Sequence, residues 1–174
     1  MAITRLGGAT AITGTIPQGN IANASLGAVT ALPAAIPTGR VLQVVNAIST
    51  TEVVNNSETW TDTGCSAAIT PSATSSKIFI TANIQGVGKN GTAYVVLKLL
   101  RGSTDIVANF EQRGADTDTT DTNKVGGCSV TYLDSPSSTS ATTYKVQMKG
   151  NGDVYAQTGD SNPKHSITLM EIAG

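Results

Sequence analysis

From residue 40 onward the chain is built of short runs in which apolar and polar positions alternate. Val41-Leu42-Gln43-Val44-Val45 opens one run, and residues 77–84 put Ile78, Ile80, Ala82 and Ile84 on one face. Residues 94–100 set Val95, Leu97 and Leu99 against Lys98, and residues 143–149 turn Tyr144, Val146 and Met148 to one side. A last run covers residues 166–172. A period of two is the signature of a strand with one buried face. The separators are turn chemistry: Lys89-Asn90-Gly91, Arg101-Gly102-Ser103, Gly126-Gly127, Asp134-Ser135-Pro136, Asn151-Gly152-Asp153 and Ser161-Asn162-Pro163. No amphipathic helix competes with this pattern. It predicts an all-β fold, an antiparallel jelly-roll-like β-sandwich over residues 40–174, with about eight to ten strands. The final run ends two residues short of the C-terminus and is predicted to pair centrally.

Residues 1–39 differ in kind. They hold one charged side chain, Arg5, and no aromatic ring. Single apolar residues recur at intervals: Leu6, Ile12, Ile16, Ile21, Leu26, Val29, Leu32 and Ile36. They follow neither a helical nor a two-residue period, and Pro17, Pro33 and Pro37 oppose a continuous helix. Thr15-Ile16-Pro17-Gln18-Gly19-Asn20 is echoed by Ala35-Ile36-Pro37-Thr38-Gly39-Arg40. Each copy holds an isoleucine extended before Pro and allows a bend two residues later. An extended N-terminal arm is predicted, with Leu6, Ile12, Ile16, Pro17, Ile21, Leu26, Leu32, Ile36 and Pro37 as its gripping positions. Such an arm buries too little of its own surface to offset its ordering entropy, so companion chains are expected to hold it.

Composition narrows the function classes. The 174 residues are 39% hydrophobic, 13% charged and 4% aromatic, with net charge −1. That balance argues against a basic nucleic-acid surface and against a base-stacking platform. Ser and Thr, about a quarter of the chain, suit strands and turns. No run approaches the roughly 18 apolar residues of a membrane span. The first residues lack the basic and apolar regions of a secretory signal. Folding in a reducing cytosol is therefore expected, with Cys65 and Cys128 as small buried residues, free of disulfide or metal.

Candidate chemistry is sparse. The lone histidine, His165, has no nucleophile or orienting carboxylate placed beside it by any motif, and is read as a surface or rim residue. Gly86-Val87-Gly88-Lys89-Asn90-Gly91-Thr92 departs from the spacing of a phosphate loop and reads as a glycine-rich hairpin. Asp116-Thr117-Asp118-Thr119-Thr120-Asp121-Thr122-Asn123 lacks the Gly and Glu of a calcium loop and reads as a solvated loop. Lys89, Asn90, Asp116, Asp118 and Asp121 are the candidates for exposed contacts. Glu52, Glu58, Glu111 and Glu171 form no recognisable catalytic pair. Trp60 is read as an anchor in the core or at a subunit interface. No enzyme activity and no cofactor are predicted.

Several motifs in order carry a resemblance. Gly39-Arg40-Val41-Leu42-Gln43-Val44-Val45 leads to Thr59-Trp60-Thr61-Asp62-Thr63-Gly64 and to Ala68-Ile69-Thr70-Pro71-Ser72-Ala73-Thr74-Ser75-Ser76-Lys77-Ile78. Leu99-Leu100-Arg101-Gly102-Ser103-Thr104, Tyr132-Leu133-Asp134-Ser135-Pro136 and Ser140-Ala141-Thr142-Thr143-Tyr144-Lys145 follow, with Ser166-Ile167-Thr168-Leu169-Met170-Glu171-Ile172-Ala173-Gly174 at the end. This series resembles fibre-like virion proteins of tailed bacteriophages, and Gly14-Thr15-Ile16-Pro17 with Ile21-Ala22-Asn23-Ala24-Ser25-Leu26 resembles the segments that precede their knobs. The resemblance implies a homotrimeric β-sandwich knob on the virion surface, assembled in the host cytoplasm. It implies a capsid decoration or head fibre bound to other virion proteins. The alternative is a short tail or baseplate fibre whose knob meets a host glycan or receptor. The family brings no catalytic residues.

Overall fold

The computed structural model describes residues 39–90, 93–112, 122–156 and 164–174, the side chains of 111–112 and 122–125 excepted. The residues proposed for the arm, Leu6 to Pro37, lie outside that set, as do Asp116, Asp118, Asp121 and the Ser161-Asn162-Pro163 turn.

Ten strands make up the described chain. They are β1 (Val41–Ser49), β2 (Val53–Asn55), β3 (Thr61–Ile69), β4 (Lys77–Asn90), β5 (Val95–Arg101), β6 (Thr104–Gln112), β7 (Thr122–Asp134), β8 (Thr142–Gly150), β9 (Val154–Ala156) and β10 (His165–Ile172). No helix occurs among the described residues. The strands form two antiparallel sheets. In the six-stranded sheet β10 lies between β1 and β4, β7 flanks the other side of β4, and β9 with β2 extend the sheet beside the far end of β4. The four-stranded sheet has the order β3-β8-β5-β6.

The alternation read from the sequence sets the core. Ile78, Ile80, Ala82 and Ile84 of β4, Ile167 and Leu169 of β10, Val95, Leu97 and Leu99 of β5, and Tyr144, Val146 and Met148 of β8 all join one buried cluster. The last strand lies inside its sheet, between β1 and β4, as expected. Arg101 pairs with Thr104 across a two-residue turn in which Gly102 has φ +58°, the conformation that hairpin turns need and that glycine takes without strain.

Three expectations are corrected. Gly126-Gly127 is not a turn but lies inside β7, where the register against β4 shifts between Val87 and Gly88. Gly126 has φ +97° there, so the glycine serves a bulge in a long strand. Residues 86–90 are not a hairpin loop, because β4 runs on to Asn90. Lys89 is therefore a strand residue paired with β7 and β9, and it is buried, at 1% exposure. Asn90 remains exposed, and its N–H donates to the Asp153 carbonyl at 2.9 Å. His165 is fully buried rather than at the surface. β10 begins at His165, one residue earlier than the sequence pattern indicates, and its alternation turns residues 165, 167, 169 and 171 inward.

Candidate functional site

Three buried polar clusters and two contrasting outer faces contain the chemistry of the described residues. The first cluster links the sheets. Asp134 ends β7 and accepts a hydrogen bond of 2.7 Å from the Tyr144 hydroxyl on β8. The Arg101 guanidinium at the end of β5 donates to both Asp134 oxygens at 2.9 Å. Burial pushes the Tyr144 phenol well above its ordinary range, and the adjacent Asp134 carboxylate pushes it further, against the opposing charge of Arg101.

The second cluster centres on Glu171, 1% exposed on β10. Its Oε1 accepts from the Ser72 N–H at 2.7 Å, the Ser72 hydroxyl at 2.6 Å and the Ser76 hydroxyl at 2.7 Å. Its Oε2 accepts from Gln43 Nε2 at 2.6 Å. Burial alone would raise this carboxyl, but the bonds from Ser72, Gln43 and Ser76 outweigh it and bring the pKa to about 2. The carboxylate thus fastens the turn between β3 and β4 to β1 and β10.

The third is His165. Its Nδ1 accepts from the Gln85 N–H at 3.1 Å, which leaves the proton on Nε2. That Nε2 is buried with no hydrogen-bond partner among the described residues. Burial lowers the imidazole pKa to about 4, so the ring is neutral at physiological pH. None of these clusters joins a nucleophile, a base and an orienting group in the way nucleophilic catalysis requires. Among the described residues no group of three or more His, Cys, Asp or Glu side chains is placed to hold a metal ion. Cys65 and Cys128 are buried thiols not joined in a disulfide, and burial pushes the Cys65 thiol up to about 12.

The outer face of the four-stranded sheet is charged and ion-paired. Asp62 on β3 accepts from Lys145 at 2.9 Å and from Gln147 at 2.7 Å, both on β8. Lys98 on β5 pairs with Asp105 on β6 at 2.8 Å. Trp60, just before β3, is half-buried, and it lies on this face rather than in the core cluster. The Lys98 ammonium stands 4.3 Å from its ring centroid and that of Lys149 5.0 Å. Two cations against one indole make a cation–π cluster. Trp60 is therefore no core anchor.

The outer face of the six-stranded sheet is of the opposite character. Registers carry a row straight across four strands: Val44 pairs with Met170, Met170 with Phe79, and Phe79 with Leu133. Beside it run Asn46–Thr168–Thr81–Thr131 and Ile48–Ser166–Asn83–Ser129. These three rows contain no charged side chain. Val44 is 56% exposed, Ile48 61% and Leu133 50%. All the large hydrophobic residues exposed among the described residues belong to this sheet, the others being Val41, Val54 and Tyr132.

The apolar row was legible only in part. Each strand shows its own alternation, but the coincidence of Val44, Met170, Phe79 and Leu133 depends on registers between segments up to 126 residues apart (170 − 44). The Glu171 cluster left one signal, a carboxylate at an inward phase of the last run. A scan against protein-family models gave no match, and a search of curated proteins gave none either.

Proposed function

We propose that this chain is a non-enzymatic structural subunit of a tailed-phage virion, a homotrimeric jelly-roll knob that its N-terminal segment attaches to the capsid as a decoration or head fibre. The strand pairings support the jelly-roll reading. β5 pairs with β6, β4 with β7, β3 with β8 and β1 with β10. These pairs nest like one long hairpin rolled up, which leaves β1-β10-β4-β7 facing β3-β8-β5-β6. The ordered motifs that resemble phage fibre proteins support the virion reading.

One observation carries the attachment. The Gly39 N–H donates to the Ala173 carbonyl at 2.9 Å, and the Ala173 N–H donates to the Arg40 carbonyl at 2.9 Å. The first strand is thereby locked to the last at the corner where the segment 1–38 joins. Gold-labelled antibody against the chain, imaged on intact phage particles, should decorate the capsid shell. Label on no part of any particle would refute the virion reading.

The Trp60 cluster favours a second reading, a short tail or baseplate fibre whose knob binds a host surface glycan. The Lys98 and Lys149 ammonium groups gathered over the indole offer positive charge to the acidic groups of an anionic saccharide. Label at the tail tip, together with glycan-array binding that Trp60→Ala abolishes, would select it over the capsid.

A further inference from the structure

We infer that the three uncharged rows on the outer face of β1-β10-β4-β7 are the surface on which copies of this chain pack against one another. The inference rests on the homotrimer reading and names the surface that reading lacks.

The two outer faces of the sandwich set the problem. A solvent-facing sheet surface ordinarily carries charges of both signs, as the β3-β8-β5-β6 face does with Asp62, Lys98, Asp105, Lys145 and Lys149. Three consecutive rows of the opposite face carry none. Depletion of charge with retention of apolar and small polar groups is what separates the centre of an interface from free surface. Here the apolar row Val44–Met170–Phe79–Leu133 is flanked by Asn, Ser and Thr, which hydrogen-bond across a contact without desolvating an ion.

The size is adequate. Four strands about 4.8 Å apart and three rows about 6.8 Å apart give a patch of about 400 Å² in projection. That is of the order of the roughly 800 Å² of accessible surface that each partner contributes to a stable interface. The next row, Val41–Ile172–Lys77, carries the first charge on this face and bounds the uncharged patch.

Charge complementarity chooses the occupant. A face without charge offers nothing for a charged partner to neutralise, and any ion laid on Val44 or Phe79 would lose its hydration without return. The matching surface must itself be uncharged. The outer face of the four-stranded sheet fails that condition, and the same face of the neighbouring copies meets it, the β1 side of one copy against the β7 side of the next around a threefold axis. The position of Gly39 fits as well, because its partner Ala173 directly follows Ile172 at one end of the same sheet. Copies that meet there would hold the starts of their N-terminal segments near one another.

The test uses the full chain and sedimentation equilibrium at tens of micromolar. Val44→Lys and Leu133→Lys place charges at opposite ends of the row, at positions 56% and 50% exposed where neither substitution disturbs the core. Lys145→Glu on the other sheet is the control. The expected result is an oligomer for the wild type and for Lys145→Glu. The double variant Val44→Lys/Leu133→Lys should sediment as a monomer, with at least a 100-fold weaker association and an unchanged far-ultraviolet spectrum. An oligomer that survives the double variant overturns the inference and leaves the trimer reading intact. A wild-type chain that is monomeric throughout overturns the trimer reading as well. Should the double variant misfold, Val44→Thr/Leu133→Thr preserves strand propensity, and an association unchanged from wild type would then count against the inference.

Discussion

Tyr144 and Asp134 hold the two sheets together through one hydrogen bond of 2.7 Å between β8 and β7. Asp134 is the end of a strand in one sheet, and Tyr144 is buried in the other. Tyr144→Phe keeps the ring and removes the donor, while Arg101 continues to satisfy the carboxylate. The expected loss is about 1.5–3 kcal/mol, the range for a hydrogen bond to a charged group. Asp134→Ala should cost more, since it strands both the Tyr144 hydroxyl and the Arg101 guanidinium. Urea unfolding followed by circular dichroism measures both; equal stability of Tyr144→Phe and wild type would show that the bond contributes nothing.

Tyr144 also explains how much could be read in advance. The alternation of residues 143–149 places its ring in the core, and the same period of two marks β1, β4, β5 and the central last strand; of the turn motifs, Arg101-Gly102-Ser103 and Asn151-Gly152-Asp153 fall between strands. The partner Asp134 was read only as part of a turn, because sequence does not state which turn of one sheet abuts which strand of the other. Register errors have sharp consequences for single residues. Starting the last strand one residue late put His165 outside, although it is buried, and ending β4 early put Lys89 in a loop, although it is a buried residue of that strand. For Trp60 the core half of the reading fails for another reason. Bulk and rarity favour the core, but two lysines on the outer face offer an indole a different partner.

Acid should destabilise the sandwich in two steps, and the signs follow from where each proton goes. His165 has a folded pKa of about 4 against 6.5 for the free side chain. Between these values the unfolded chain takes a proton that the native chain refuses, so stability falls as pH drops from 6.5 towards 4, by roughly 3 kcal/mol in all. Glu171 has a folded pKa of about 2 against 4.5. Its stabilisation is complete above pH 4.5 and is lost as pH falls from 4.5 to 2. His165→Gln should flatten the upper step and leave the lower; Glu171→Gln should do the reverse. Midpoints of urea unfolding across pH 2–8 read both steps, and a single step unaffected by either substitution would contradict the assignment.

Gly150 ends β8 at a place where no side chain fits. A Cβ added there would meet Val154 and would come within 2.5 Å of the Tyr94 carbonyl oxygen. Val154 is fully buried, and the Tyr94 carbonyl belongs to the backbone, so neither neighbour moves without moving a strand. Gly150→Ala is an overpacking substitution, expected to cost about 1–3 kcal/mol despite the better strand propensity of alanine. Gly102→Ala meets no atom within 4 Å and suffers only from its positive φ, so it should cost less, about 1 kcal/mol. Thermal unfolding of the two variants side by side tests the ranking; a larger loss at Gly102 would show that backbone strain outweighs crowding here.

Trp60 is the sole tryptophan, so its emission reports the cation–π cluster without interference. The Lys149 ammonium lies 5.0 Å from the ring centroid, while Lys98 lies closer at 4.3 Å and is tied to Asp105 as well. Lys149→Gln removes one cation and leaves the ion pair intact, with an expected cost of about 0.5–1 kcal/mol. Lys98→Gln removes a second cation and also strands Asp105, so its cost should be the larger. Both substitutions open the ring to water and should move the emission maximum to longer wavelength, Lys98→Gln further because Lys98 is only 8% exposed and lies nearer the ring. Emission that stays fixed in both variants would mean that neither lysine shields the ring.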